Sequence, residues 1–115
     1  MANDEKNKRK EERIDFIQAT YYKIMDGESG IDECFLNNIS TGGLSFDTRE
    51  KQVKIGDELI IMYKIGTHLR RDTLKIKHVY KIFNNWRCGG QFADADSERE
   101  QMIRKYIEHQ NARQE

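Results

Sequence analysis

Along this chain the apolar positions fall into six short runs and then one helical stripe. Residues 1 to about 12 hold no large apolar residue after Met1. A segment that polar has nothing to bury and is expected to be flexible. From Ile14 to Ile24, β-branched and aromatic residues crowd together as they do in strands. Asp26-Gly27 and Ser29-Gly30 then supply turn chemistry. A second strand is predicted over about Ile31–Ile39, interrupted by Ser40-Thr41-Gly42-Gly43, and a short third over Leu44-Ser45-Phe46. After a turn at Ile55-Gly56-Asp57, Glu58–Ile65 reads as the fourth strand, apolar from Leu59 to Met62. In the fifth, Leu74, Ile76, His78, Tyr80 and Ile82 share one side, with Lys75, Lys77, Val79 and Lys81 on the other. Alternation of period two marks a strand with one buried face. Arg70 and Arg71 are expected just before it, in a solvated loop. Asn84-Asn85 suits a hairpin turn, and Trp86–Phe92 returns.

The period then changes. Ser97 and Glu100 form an S-x-x-E capping box, and Met102, Ile103, Tyr106 and Ile107 recur at helical spacing. One helix of about three turns follows. Asp94 and Asp96 fit its start, where negative charge is favourable. Antiparallel strands at this spacing close into a barrel or a sandwich, with a helix over one open side. Phe46, Trp86, Phe92 and Tyr106 are assigned to the core, because large aromatics dominate small cores. The expected organisation is a flexible segment over residues 1–13 and a folded unit over residues 14–110.

Composition narrows the function classes. A chain of 115 residues suits one domain with one modest core. Lysine and arginine total 20, as do aspartate and glutamate, so the net charge is zero. That balance argues against a nucleic-acid partner, which favours a basic patch. No run reaches the roughly 18 apolar residues a membrane helix needs, so no membrane insertion is expected. The polar start lacks the apolar stretch of a signal peptide, which suggests a cytoplasmic protein. Cys34 and Cys88 have no Cys or His at zinc-ligand spacing, and His68, His78 and His109 are scattered. Two reduced thiols, no metal, no cofactor and no catalytic residues are expected. No Ser-His-Asp set or phosphate loop points to an enzyme.

Two short stretches carry the candidate chemistry. Arg9-Lys10-Glu11-Glu12-Arg13 is an R-x-x-x-R just before the first strand, and Asn38-Ile39-Ser40-Thr41-Gly42-Gly43 is an N-x-S-x-x-G between strands two and three. In this order, ahead of and within six strands plus a helix, they resemble the paired signature of the PilZ family. Gly89-Gly90-Gln91-Phe92-Ala93-Asp94 is similar to that family's last strand before its helix. The resemblance runs from about Arg9 to Tyr106. It implies a mainly β fold, a six-stranded antiparallel split β-barrel with a C-terminal α-helix. It also implies a bacterial second-messenger receptor whose ligand is cyclic di-GMP, signalling to an unidentified downstream protein.

The residues suit that ligand. A guanidinium fork matches the O6 and N7 acceptors of guanine bidentately, and also pairs with phosphate. Arg9 and Arg13, four apart, point to one side whether the segment is extended or helical. Lys10 offers at best a phosphate contact. Asn38 has both a donor and an acceptor for a base edge, and Ser40 adds a hydroxyl. Gly42 and Gly43 permit a sharp turn and close approach of a flat ligand. The resemblance carries ligand binding onto Arg9, Lys10, Arg13, Asn38, Ser40 and Gly43, with Gly42 and Tyr80 as further contacts. Glu11 and Glu12 oppose a dianionic ligand by about half a kcal/mol each when solvated. Two other readings fit the same pattern, a PilZ-like protein-interaction adaptor without nucleotide binding and a small barrel that binds oligonucleotides.

Overall fold

The computed structural model describes residues 12–25, 30–49 and 53–113. Arg9, Lys10 and Glu11 lie outside these residues, as does the predicted turn at Asp26-Gly27 and Ser29. The strands are β1 (Ile14–Ile24), β2 (Asp32–Ile39), β3 (Gly43–Thr48), β4 (Glu58–Ile65), β5 (His68–Ile82) and β6 (Asn85–Phe92), followed by helix α1 (Ser97–Arg113). Every pairing is antiparallel, and the strands close into a barrel in the order β1-β2-β3-β6-β5-β4. Tyr22↔Ile61 and Ile24↔Leu59 close it between β1 and β4. Backbone pairing at this closure covers three residue pairs, and beyond it the Gln18 and Thr20 side chains bond the Lys64 and Met62 backbone of β4. The predicted fold class is the observed one.

Alternation decides what fills the barrel. Leu59, Ile61, Tyr63 and Ile65 of β4 all point inward, and Leu36, Leu44, Phe46, Leu74 and Ile76 meet them from other strands. Ile103 and Ile107 of α1 join the same core, while Tyr106 packs edge-on against Phe16, with ring centroids 5.3 Å apart. Phe92 and Tyr106 are partly buried against the core, whereas Trp86 lies half-buried outside it, under the Lys81 ammonium. Cys34 and Cys88 are free and fully buried, and burial pushes both thiols up to about 12.

Four local expectations are corrected. Arg70 and Arg71 are not in a loop, because β5 begins at His68. The Arg70 guanidinium donates to Asp72 through Nε at 2.9 Å and to Asp96 through Nη2 at 2.8 Å. Arg99 reaches the same Asp72 at 3.2 Å, and the Tyr63 hydroxyl donates to it at 2.6 Å. This buried cluster fastens the start of α1 to β5. Asp96 caps the helix, accepting from the Arg99 backbone N–H at 3.0 Å, in the place assigned to Ser97. The helix runs 17 residues, about five turns rather than three. The fourth correction concerns β5. Its register shifts between Ile76 and His78, where Lys77 is an extra residue, so the alternation inverts. Val79 is then half-buried, and His78 and Tyr80 face outward.

Candidate ligand-binding site

The register of β1 against β2 brings the two motifs together. Ile14 pairs with Ile39 and Asp15 with Asn38, so Arg13 stands beside the turn that follows β2. Its Nη1 donates to Asn38 Oδ1 at 3.3 Å, across 25 residues of sequence. Asn38 points outward because of a second bulge. Leu36 pairs with Phe46 and Asn38 with Ser45, which leaves Asn37 as the extra residue. Asn37 turns its amide to Asp47 Oδ1 at 2.9 Å.

Ser40 is 2% exposed, and its hydroxyl accepts from the Gly42 N–H at 3.2 Å. Its backbone N–H donates to the Gly43 carbonyl at 2.8 Å. Ser40 thus shapes the turn from within. The Gly42 carbonyl accepts from the Phe92 N–H at 2.8 Å and ties the turn to β6. Gly43 is required for a reason other than turning. A Cβ there would stand 2.0 Å from the Gly90 carbonyl oxygen, so β3 and β6 approach closely only without one. Positive φ among the described glycines occurs instead at Gly56 and Gly66.

Two outward rungs cross the barrel wall here. One runs Asp15, Asn38, Ser45, Gly89, His78, and the next runs Ala19, Phe35, Asp47, Arg87, Tyr80. Gly89 has no side chain and Ser45 a short one, so the first rung is low in the middle, between Asn38 and His78. In the second, Arg87 Nε donates to Asp47 Oδ1 at 2.7 Å. The Arg87 hydrogen bond, above all, holds the Asp47 carboxyl below the usual carboxylate range. Tyr80 is on β5, three strands from β2 in either direction around the closed barrel, and so on the side opposite Asn38. The structure therefore gathers Arg13, Asn38, Ser40, Gly42 and Gly43 in one place and does not bring Tyr80 to them.

Sequence reasoning missed the Asn37–Asp47–Arg87 chain. Its only signal was charge on the polar side of β3 and β6, which pairing alone turns into one rung. Among the described residues, no group of three His, Cys, Asp or Glu is placed to hold a metal ion. No described helix is long and apolar enough to cross a membrane.

A closed six-stranded barrel, flanked by one helix and carrying an arginine beside an Asn-x-Ser-x-x-Gly turn, defines a small β-barrel module with its polar motifs on the outer wall. The chain belongs to the PilZ domain family, whose family model matches residues 7–109. No curated protein matches it significantly. Among solved structures it is similar to the PilZ domain of YcgR with c-di-GMP from Escherichia coli, at 14% identity and a TM-score of 0.71, covering 92% of this chain and 95% of that one. The PilZ domain of CeSA from a cellulose-synthesizing bacterium is similar at 12% identity and a TM-score of 0.65, covering 87% and 98%. The inhibitor of motility MotI/DgrA of Bacillus subtilis is similar at 15% identity and a TM-score of 0.70, covering 93% of this chain. The chain spans about half the length of that inhibitor, 53%.

Proposed function

We propose that this domain is a receptor for cyclic di-GMP that signals to a partner protein and catalyses nothing. The single observation that carries the reading is the Arg13–Asn38 contact, which joins the two halves of the family signature on one outer face. The ligand-bound YcgR domain, of the same fold, supports the choice of ligand. In this reading Arg13 and Arg9 engage guanine edges or phosphate through their forks, and Lys10 adds a phosphate contact. Asn38 completes a base edge. Ser40, Gly42 and Gly43 hold the turn at the height the ligand needs, and Tyr80 meets the far base. Residues 1–13 become ordered across the barrel, and the new surface is what a downstream protein in the cytoplasm reads.

Calorimetric titration tests this, with GTP and a short RNA as controls. Cyclic di-GMP is expected to bind with a dissociation constant in the micromolar range or tighter, about −8 kcal/mol or better. Neither control binds comparably, and the ligand is recovered intact after long incubation. Absence of heat favours the nucleotide-free adaptor, and equal binding of RNA favours the oligonucleotide barrel.

A further inference from the structure

A second surface lies between β1 and α1 and adjoins the Asn38 face at Ala19. Two hollows, of about 580 and about 610 Å³, share Gly66 and Tyr106 as lining residues and so meet between the β4–β5 turn and α1. Their apolar contacts are Ile17 and Leu69, 79% and 77% exposed, with Met102 and Tyr106 half-buried beside them. Exposed aliphatic side chains next to a concave apolar surface mark an interaction site.

The charge of the lining narrows the occupant. Lys64 and Lys105 line the hollows, with His68 and His109 near Lys105, while the one carboxylate lining them among the described residues, Glu98, stands 3.8 Å from the Arg70 guanidinium. The chain's own residues 1–11 do not match. They hold four basic side chains against three acidic ones and no large apolar residue after Met1. A second copy meeting groove to groove would set lysine against lysine. We propose that this groove docks an acidic amphipathic helix of a partner protein, its apolar face on Ile17, Leu69 and Met102 and its carboxylates on Lys64 and Lys105. The groove uses β1, the β4–β5 turn and α1, whereas Asn38, Ser45 and Gly89 belong to β2, β3 and β6, so the proposal stands apart from the nucleotide reading.

The test uses the full chain, isotope-labelled and nucleotide-free. Two labelled probe peptides are compared, one with leucines on one helical face and glutamates on the other, and its counterpart with lysines in place of the glutamates. The acidic peptide is expected to shift the amides of Ile17, Leu69 and Met102. Combining Lys64→Glu with Lys105→Glu weakens it about tenfold or more, whereas Lys23→Glu, on the exposed side of β1, leaves it unchanged. Thermal midpoints stay near wild type, because all three positions are exposed. Equal binding of the basic peptide, shifts confined to the Asn38 face, or no shifts overturn the proposal. Self-association that Ile17→Asp abolishes also overturns it and assigns the groove to a second copy.

Discussion

At the scale of single residues, the site depends on geometry that only certain side chains supply. Arg13 is exposed and its one contact to a described residue in the site is Asn38, so replacing it leaves the barrel intact. Arg13→Ala is expected to reduce cyclic di-GMP binding by about 2 kcal/mol or more, and Arg13→Lys to bind nearly as poorly, because lysine keeps the charge and loses the fork. Calorimetry with circular dichroism as the folding control checks both. Gly43→Val acts differently. Its side chain collides with the Gly90 carbonyl, whose own residue leaves no room behind, since a Cβ on Gly90 would stand 2.7 Å from Leu74 Cγ and from the Lys75 carbonyl. Stability is expected to fall by about 3 kcal/mol or more, read by urea unfolding. The motif residues were legible in the sequence because their spacing is local. The reason for Gly43 was not, because it comes from β6, more than 40 residues away.

Whole elements were legible where periodicity was unbroken, and illegible where packing overrode it. Glu58–Ile65 was legible from its apolar run between turn signals and forms β4 with those bounds, its burial alternating. Its neighbour β5 was read short, because His68, Arg70, Arg71 and Asp72 look like a solvated loop. They are strand residues because Arg70 and Arg99 neutralise Asp72 inside the fold. Lys77 in the bulge then sends His78 and Tyr80 outward, which no count of alternating positions reveals. The Asp72 cluster yields a prediction. Its side chain is 6% exposed and that of Arg99 4%. Asp72→Ala takes one of two carboxylates from the buried Arg99, which keeps Asp94, and leaves the Tyr63 hydroxyl without that acceptor. A loss of about 3 kcal/mol is expected on thermal or urea unfolding.

The same cluster sets a pH dependence. Burial pushes the Asp72 carboxyl up, but bonds from Arg70 and Tyr63 and the charges of Arg70 and Arg99 outweigh it and hold the carboxyl below its ordinary value. A carboxyl lowered in the folded state stabilises fully above its unfolded value, near 4. That stability is lost as pH falls through the folded value, so stability rises with pH in the acid range. Asp72→Asn flattens the slope in part, since Asp47 and Asp96 are lowered as well. Urea midpoints measured across the acid range check the sign.

At the scale of the whole molecule, fold and ligand face separate. The described core draws on residues 16–107 with Ile14 packed against it, so among the described residues nothing before Ile14 contributes to it. Deleting residues 1–11 is expected to leave the ligand-free thermal midpoint nearly unchanged and to weaken cyclic di-GMP binding, because Arg9 and Lys10 go with it. The architecture was readable because six strand patterns and one helix in this order admit few topologies. The two outer rungs were not, since they exist only once β3 pairs with β6 across the barrel.

The central claim is that cyclic di-GMP is held on this outer face, beside Asn38, by the arginine motif. Chemical-shift mapping of the labelled full chain, titrated with cyclic di-GMP, tests it most directly. Large shifts are expected at the Arg13 Nε–H, the Asn38 side-chain amide and the Gly42 and Gly43 backbone, extending across Gly89 toward Tyr80. No shifts at saturating ligand, or shifts confined to α1 and the β4–β5 turn, would contradict it.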